Sequence, residues 1–227
     1  MRLILGFVIL LLAGCGSAPK APAPTGISDA TEQRVNAWRQ LINDGRAWSD
    51  QRQLKAANDF INQNEFVDDI IHWGIEDYWA TPLQTIVTQA GDCEDFAVAK
   101  YFTLTEMGMS ADKLRLTYVK ALTLNQAHMV VSYYETQSAT PLVLDNLDPV
   151  IRPASERDDL LPVYSFNGEG LWLNKQQTAE YVDDSSRLSL WQQLLKKMDA
   201  EAADESVYIC RYQHYDLPSA QARALCP

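Results

Sequence analysis

Residues 91–108 read Gly91-Asp92-Cys93-Glu94-Asp95-Phe96-Ala97-Val98-Ala99-Lys100-Tyr101-Phe102-Thr103-Leu104-Thr105-Glu106-Met107-Gly108, and this stretch decides the fold. Gly91 interrupts the chain before it and Gly108 supplies a stop after it, with Phe96, Ala99 and Leu104 available to face a core. A helix therefore begins at Cys93. That places a thiol beside the unpaired N–H groups of a helix N-terminus, where the dipole favours negative charge.

Upstream, Thr81-Pro82 is a cap followed by proline at the first helical position, opening a short helix to Gln89. Phe66 to Trp79 is aromatic-rich without a clean period. Ser28 or Asp29 caps an earlier helix carrying Val35, Trp38, Leu41 and Ile42 and ending near Gly45. Ser49 starts another with Leu54, Ala57, Phe60 and Ile61. Downstream the texture changes to β-branched and aromatic runs: Leu114 to Leu122, Ala127 to Tyr134, Leu142 to Asp145, Val163 to Phe166 and Leu171 to Leu173. Ser185 or Ser186 then caps a helix through Leu188, Trp191, Leu194, Leu195 and Met198. Helices first and strands after predict an α+β domain over 29–205, N-terminal helices packed on an antiparallel sheet, with a separate tail over 206–227.

The 227 residues are 47% hydrophobic, enough to bury a core. With 19 Lys plus Arg against 30 Asp plus Glu, the net charge of −11 argues against nucleic acid and anionic headgroups as partners. Arg2 and the apolar run Leu3 to Leu12, ending in Leu12-Ala13-Gly14-Cys15, are too short to span a bilayer and resemble a bacterial lipoprotein signal. The alternative is an ordinary cleaved signal that contains a cysteine. Lipidation at Cys15 implies a membrane anchor, and Gly16 in place of a retaining aspartate favours the outer membrane. Residues 16–28 read as a flexible tether.

Without Cys15, three cysteines remain in an oxidising compartment, so one is left over. Cys210 and Cys226 share the tail, and a local staple there is worth about 3 kcal/mol. Cys93 is then the free thiol.

A thiol enzyme needs a thiolate, a base and a group that fixes the imidazole tautomer. Cys93, His128 within the apolar strand Ala127-His128-Met129-Val130-Val131, and Asp145 after Leu142-Val143-Leu144 supply one candidate each. Each also has a plainer reading: a buried or disulfide-bonded cysteine, a core histidine, a turn-forming aspartate. Their order raises the three together. His72 and His214 are weaker candidates for the base, more in keeping with structural or exposed positions.

Asp92, Glu94 and Asp95 crowd Cys93. They read as helix-capping charges worth about 0.3–1 kcal/mol each, yet carboxylates beside a thiol oppose the thiolate. A hard cation on their oxygens would offset this, and calcium is abundant outside the cytoplasm.

Gly91-Asp92-Cys93-Glu94-Asp95-Phe96-Ala97, His128-Met129-Val130 and Leu144-Asp145-Asn146 resemble, in order and spacing, the bacterial transglutaminase-like cysteine proteinases. Trp79-Ala80-Thr81-Pro82 and Val163-Tyr164-Ser165-Phe166-Asn167 are also similar, so the likeness covers about residues 30–175. It implies a papain/transglutaminase-like core and a Cys93-His128-Asp145 triad. It further implies calcium held by Asp92 and Glu94 with Asp95, a periplasmic endopeptidase cleaving a large repeat adhesin near its N-terminal anchor to control attachment and biofilm, and an inner-membrane cyclic di-GMP receptor as inhibitor. The lipoprotein signal and the tail cysteines fall outside the likeness. The rival enzyme class, NlpC/P60-like peptidoglycan endopeptidases, is similar to Asp-Cys-Ser-Gly after the nucleophile and usually takes a second histidine third, unlike Glu94-Asp95 and Asp145 here. A transglutaminase-fold binding module would fit a chain that had lost a triad member. A transglutaminase proper would pass the same acyl group to lysine.

Overall fold

The computed structural model describes residues 25–175, 178–183, 185 and 188–226. The signal with Cys15 and most of the tether lie outside the described residues. No described helix is long and apolar enough to cross a membrane.

Two helices lead, α1 (Asp29–Gly45) and α2 (Asp50–Ile61). Ser28 caps the first by accepting the Thr31 N–H at 3.3 Å. The aromatic-rich stretch that follows holds a short strand β1 (Glu65–Phe66) and a single turn α3 (Asp69–His72). α4 (Pro82–Thr88) starts at a capping box, with Thr81 and Gln84 bonding each other's backbone, and stops where Gln89 turns left-handed at φ 56°. β2 (Ala90–Gly91) leads directly into α5 (Cys93–Glu106).

β2 pairs with β1 in parallel, Glu65 opposite Ala90 and Phe66 opposite Gly91, and the ladder extends through Val67 N–H to Gly91 C=O at 2.9 Å. This local pairing carries residues 67–69 alongside the start of α5.

The sheet is antiparallel throughout. Its strands are β3 (Leu114–Ala121), β4 (Gln126–Tyr133), β5 (Leu142–Leu144), β6 (Arg152–Pro153), β7 (Leu160–Phe166), β8 (Leu171–Lys175) and β9 (Thr178–Asp183), in the order β6-β5-β4-β3-β7-β8-β9. β6 and β9 were not legible in the sequence, the first because it is two residues ending in proline, the second because Thr-Ala-Glu-Tyr-Val-Asp is half polar.

α5 lies between the sheet and the other helices. Ala97, Val98, Tyr101 and Leu104 pack with Leu116, Met129, Val131, Leu144 and Phe166, while Phe96 and Ala99 pack with Val35, Ile61, Leu83 and Ile86. Truncating a fully buried member such as Leu104 or Leu116 to alanine costs about 2–5 kcal/mol. The helix at the centre is thus fixed on nearly every side, and Cys93 at its tip inherits that rigidity.

α6 (Ser189–Ala203) starts after Leu188, not at Ser185 or Ser186. Ser185 is buried and its carbonyl accepts the Leu188 N–H at 3.0 Å, so the chain makes a turn before the helix; Ser186 lies outside the described residues. The tail forms α7 (Glu205–Tyr212) and α8 (Ser219–Leu225), joined by a Cys210–Cys226 disulfide with Cα atoms 5.6 Å apart. It packs onto the domain: Ile209 joins the Val35–Leu83 cluster, and Ser28 N–H donates to Gln213 Oε1 at 2.9 Å.

Candidate active site

Cys93 is the first residue of α5 and the free cysteine among the described residues. Its Sγ–H donates to Glu94 Oε2 at 3.0 Å. Burial, followed by the Glu94 and Asp92 carboxylates, pushes the thiol pKa far up, while the Met129 N–H acts in the opposite direction. That amide belongs to β4, immediately after His128, so the thiol faces the strand that carries the histidine.

His128 is buried, and its Nε2 lies 2.7 Å from Asp145 Oδ1. Asp145 leaves β5 at its end and folds its side chain back in an Asx turn, Oδ1 also accepting the Leu147 N–H at 3.0 Å. Its Oδ2 accepts from Arg157 Nη2 at 2.7 Å. Burial works against the charged carboxylate, but the bonds from His128, Leu147 and Arg157 outweigh it and hold Asp145 well below the usual carboxylate range. With Nε2 committed to Asp145, Nδ1 is the other ring nitrogen. The structure therefore places His128 on β4 against Asp145 at the end of β5, and brings the Cys93 thiol to the Met129 amide, one residue along β4 from His128. His72 and His214 stand elsewhere, His72 against Thr88 Oγ1 at 3.2 Å and His214 buried beside Gln213 near the tail disulfide.

The acidic residues divide. Asp92, the residue before the helix, makes no capping hydrogen bond with its side chain. Asp92 and Asp95 are joined by Asp69, the ligand atoms of the three lying within 4.8 Å of one another. Glu94 stands beside Asp92 and Cys93 in an adjoining group instead. In the first cluster Asp95 Oδ1 accepts the Ala80 N–H at 2.6 Å and Asp69 Oδ2 accepts the Tyr78 N–H. Asp69 Oδ1, Asp92 Oδ1 and Asp95 Oδ2 are buried with no hydrogen-bond partner. Burial, reinforced by mutual repulsion, raises Asp69 to about 7, Asp92 to about 8 and Asp95 well above its ordinary value. Three clustered carboxylates, each with one buried oxygen lacking a partner, are a donor set suited to a hard, oxygen-seeking dication. Gly91 is required here, since a Cβ would fall 2.6 Å from the Asp95 carboxylate.

Sequence reasoning missed Asp69, because no spacing rule links it to Asp92; the β1–β2 ladder does. It also missed Arg157. It missed the brace on residues 78–81 from α6 as well, where Lys197 Nζ donates to Trp79 C=O and Thr81 Oγ1 donates to Glu201 Oε1 at 2.6 Å.

A cysteine at the tip of a buried helix, set against the strand of an antiparallel sheet that carries a histidine, is the arrangement of a cysteine hydrolase of transglutaminase-like fold. The chain belongs to the bacterial transglutaminase-like cysteine proteinases, whose family model matches residues 28–178. It is similar to solved structures of LapG from Legionella pneumophila: one at 47% identity over 75% of this chain and 91% of that one, TM-score 0.68. An EGTA-treated LapG matches at 47% over the same shares with TM-score 0.70. A calcium-bound LapG matches at 46%, over 75% and 92%, with TM-score 0.68. No curated protein sequence gives a significant match.

Proposed function

We propose that this chain is a calcium-dependent cysteine endopeptidase of the periplasm that cuts a large repeat adhesin near its N-terminal anchor and so controls surface attachment and biofilm. The observation that carries the reading is the placement of Cys93 at the N-terminus of α5, facing the strand of His128, whose Nε2 is held by Asp145.

His128 Nδ1 takes the thiol proton as Sγ attacks the scissile carbonyl carbon. The first-turn N–H of Cys93, which has no helical acceptor, is placed to receive the oxyanion. The imidazolium then protonates the leaving amine, leaving a thioester on Cys93. Water, deprotonated by His128, releases the new carboxylate and restores the thiol. Asp145 holds the tautomer and orientation of the ring throughout.

Asp69, Asp92 and Asp95 fit calcium by their orphaned oxygens, with Glu94 adjacent. Bound calcium would supply positive charge that offsets the carboxylates raising the Cys93 pKa. The calcium-bound LapG supports this reading by likeness. Cys15 would tie the chain by lipid to the membrane, the outer one favoured, and an inner-membrane cyclic di-GMP receptor would act as inhibitor.

The test is incubation of the mature chain with the N-terminal region of a large repeat adhesin from the same cell, products mapped by mass. One cut is expected; several cuts, or release of cell-wall peptides instead, would overturn the substrate assignment.

A further inference from the structure

We propose that Arg157 is a positioning residue for the hydrolysis, fixing the Asp145 carboxylate so that Oδ1 stays aimed at His128 Nε2. The inference rests on the triad reading above.

An aspartate side chain turns readily about its last torsion, which is broad and two-fold. Asp145 therefore needs both oxygens held. Oδ1 takes His128 Nε2 at 2.7 Å and the Leu147 N–H at 3.0 Å, and Oδ2 takes Arg157 Nη2 at 2.7 Å. No other hydrogen bond reaches Oδ2 among the described residues. Arg157 is itself pinned: Asp159 accepts its Nε at 2.9 Å and its Nη2 at 2.8 Å. Its backbone is fixed by turns, N–H to Ala154 C=O at 3.2 Å and C=O from Leu160 N–H at 3.0 Å. The Arg157 side chain is 4% exposed and Asp145 is fully buried, so solvent does not compete for the bond between them. Lys100 on α5 is the other cation close enough to act on Asp145, and it is buried, but it makes no hydrogen bond to the carboxylate among the described residues. Of these two cations only Arg157 gives the carboxylate a direction, by holding Oδ2 while Leu147 N–H and His128 hold Oδ1. A planar fork that grips two carboxylates is a task lysine performs poorly.

The test compares wild type, Arg157→Gln, Arg157→Lys, Asp145→Asn and the Asp145→Asn/Arg157→Gln double variant in steady-state cleavage of the adhesin N-terminal segment, with thermal melts alongside. Arg157→Gln is expected to lower kcat on the order of tenfold to a hundredfold with KM within about twofold. Arg157→Lys recovers part of the loss. In the Asp145→Asn background, Arg157→Gln changes kcat by less than about twofold, because the carboxylate it acts through is gone. Wild-type kcat in Arg157→Gln, or the same proportional loss in both backgrounds, would overturn the proposal. If Arg157→Gln does not fold, Arg157→Lys in the same cycle decides. Wild-type activity in Asp145→Asn would instead sink the triad reading itself, whereas an impaired Asp145→Asn beside an unaffected Arg157→Gln sinks only this inference.

Discussion

Asp69→Asn should change the protein in two opposite directions at once. Without metal, Asp69 sits among Asp92 and Asp95 with one oxygen orphaned, and its pKa is raised from 3.8 to about 7, burial being the foremost cause. At 1.36 kcal/mol per pKa unit, holding it ionised costs about 4 kcal/mol, which solvent at the rim of half-buried Asp92 screens to about 2 kcal/mol. A carboxyl raised in the folded state contributes stability below its unfolded pKa and loses it as pH rises through the folded value. With Asp69 at about 7 and Asp92 at about 8, the metal-free wild type should therefore melt progressively lower as pH rises from 5 to 8. Asn removes one of these charges, so at pH 8 the metal-free variant should melt about 4–8 °C above the wild type. The same change deletes a ligand charge, so calcium affinity should fall on the order of tenfold to a hundredfold. Calorimetric melts with chelator and with a calcium series give both numbers. A metal-free variant less stable than wild type, with an unchanged calcium response, would show that the three aspartates do not form one metal site.

Cys93→Ala should leave the melt intact and reduce cleavage below about one hundredth of wild type; greater residual activity would remove Cys93 from the mechanism. Asp145→Asn should be less damaging than His128→Ala, since orientation is one step removed from proton transfer, and equal retention of activity in both would break the assignment. Cys226→Ser opens a link between residues 16 apart in sequence. It should cost about 3 kcal/mol, or about 6–12 °C in melting temperature, and an unchanged melt would show that the staple constrains nothing.

What the sequence made legible was local or came with its own punctuation. The α5 helix between Gly91 and Gly108, the Thr81-Pro82 start of α4 and the β3–β4 hairpin all carry their signals within a few residues. Cys93, His128 and Asp145 stood out as candidates because each is the one residue of its type beside a run of apolar residues. What escaped depends on tertiary pairing. Asp69 reaches Asp92 through a two-residue parallel ladder too short to leave a pattern. Arg157 meets Asp145 across a turn in a run, Glu156-Arg157-Asp158-Asp159, that reads as a solvated charge cluster. The role of α6 was hidden for the same reason: Lys197 and Glu201 look like ordinary surface charges of a helix until they are found bonded to Trp79 and Thr81.

The central claim is that Cys93 works only when the carboxylates beside it are balanced by calcium. The most direct measurement is cleavage of the adhesin N-terminal segment by the purified mature chain in excess chelator, then with calcium or magnesium restored. The account predicts no cut in chelator, a single cut restored by calcium and only weakly by magnesium, and no cut by Cys93→Ala under any condition. Full cleavage in excess chelator would contradict it.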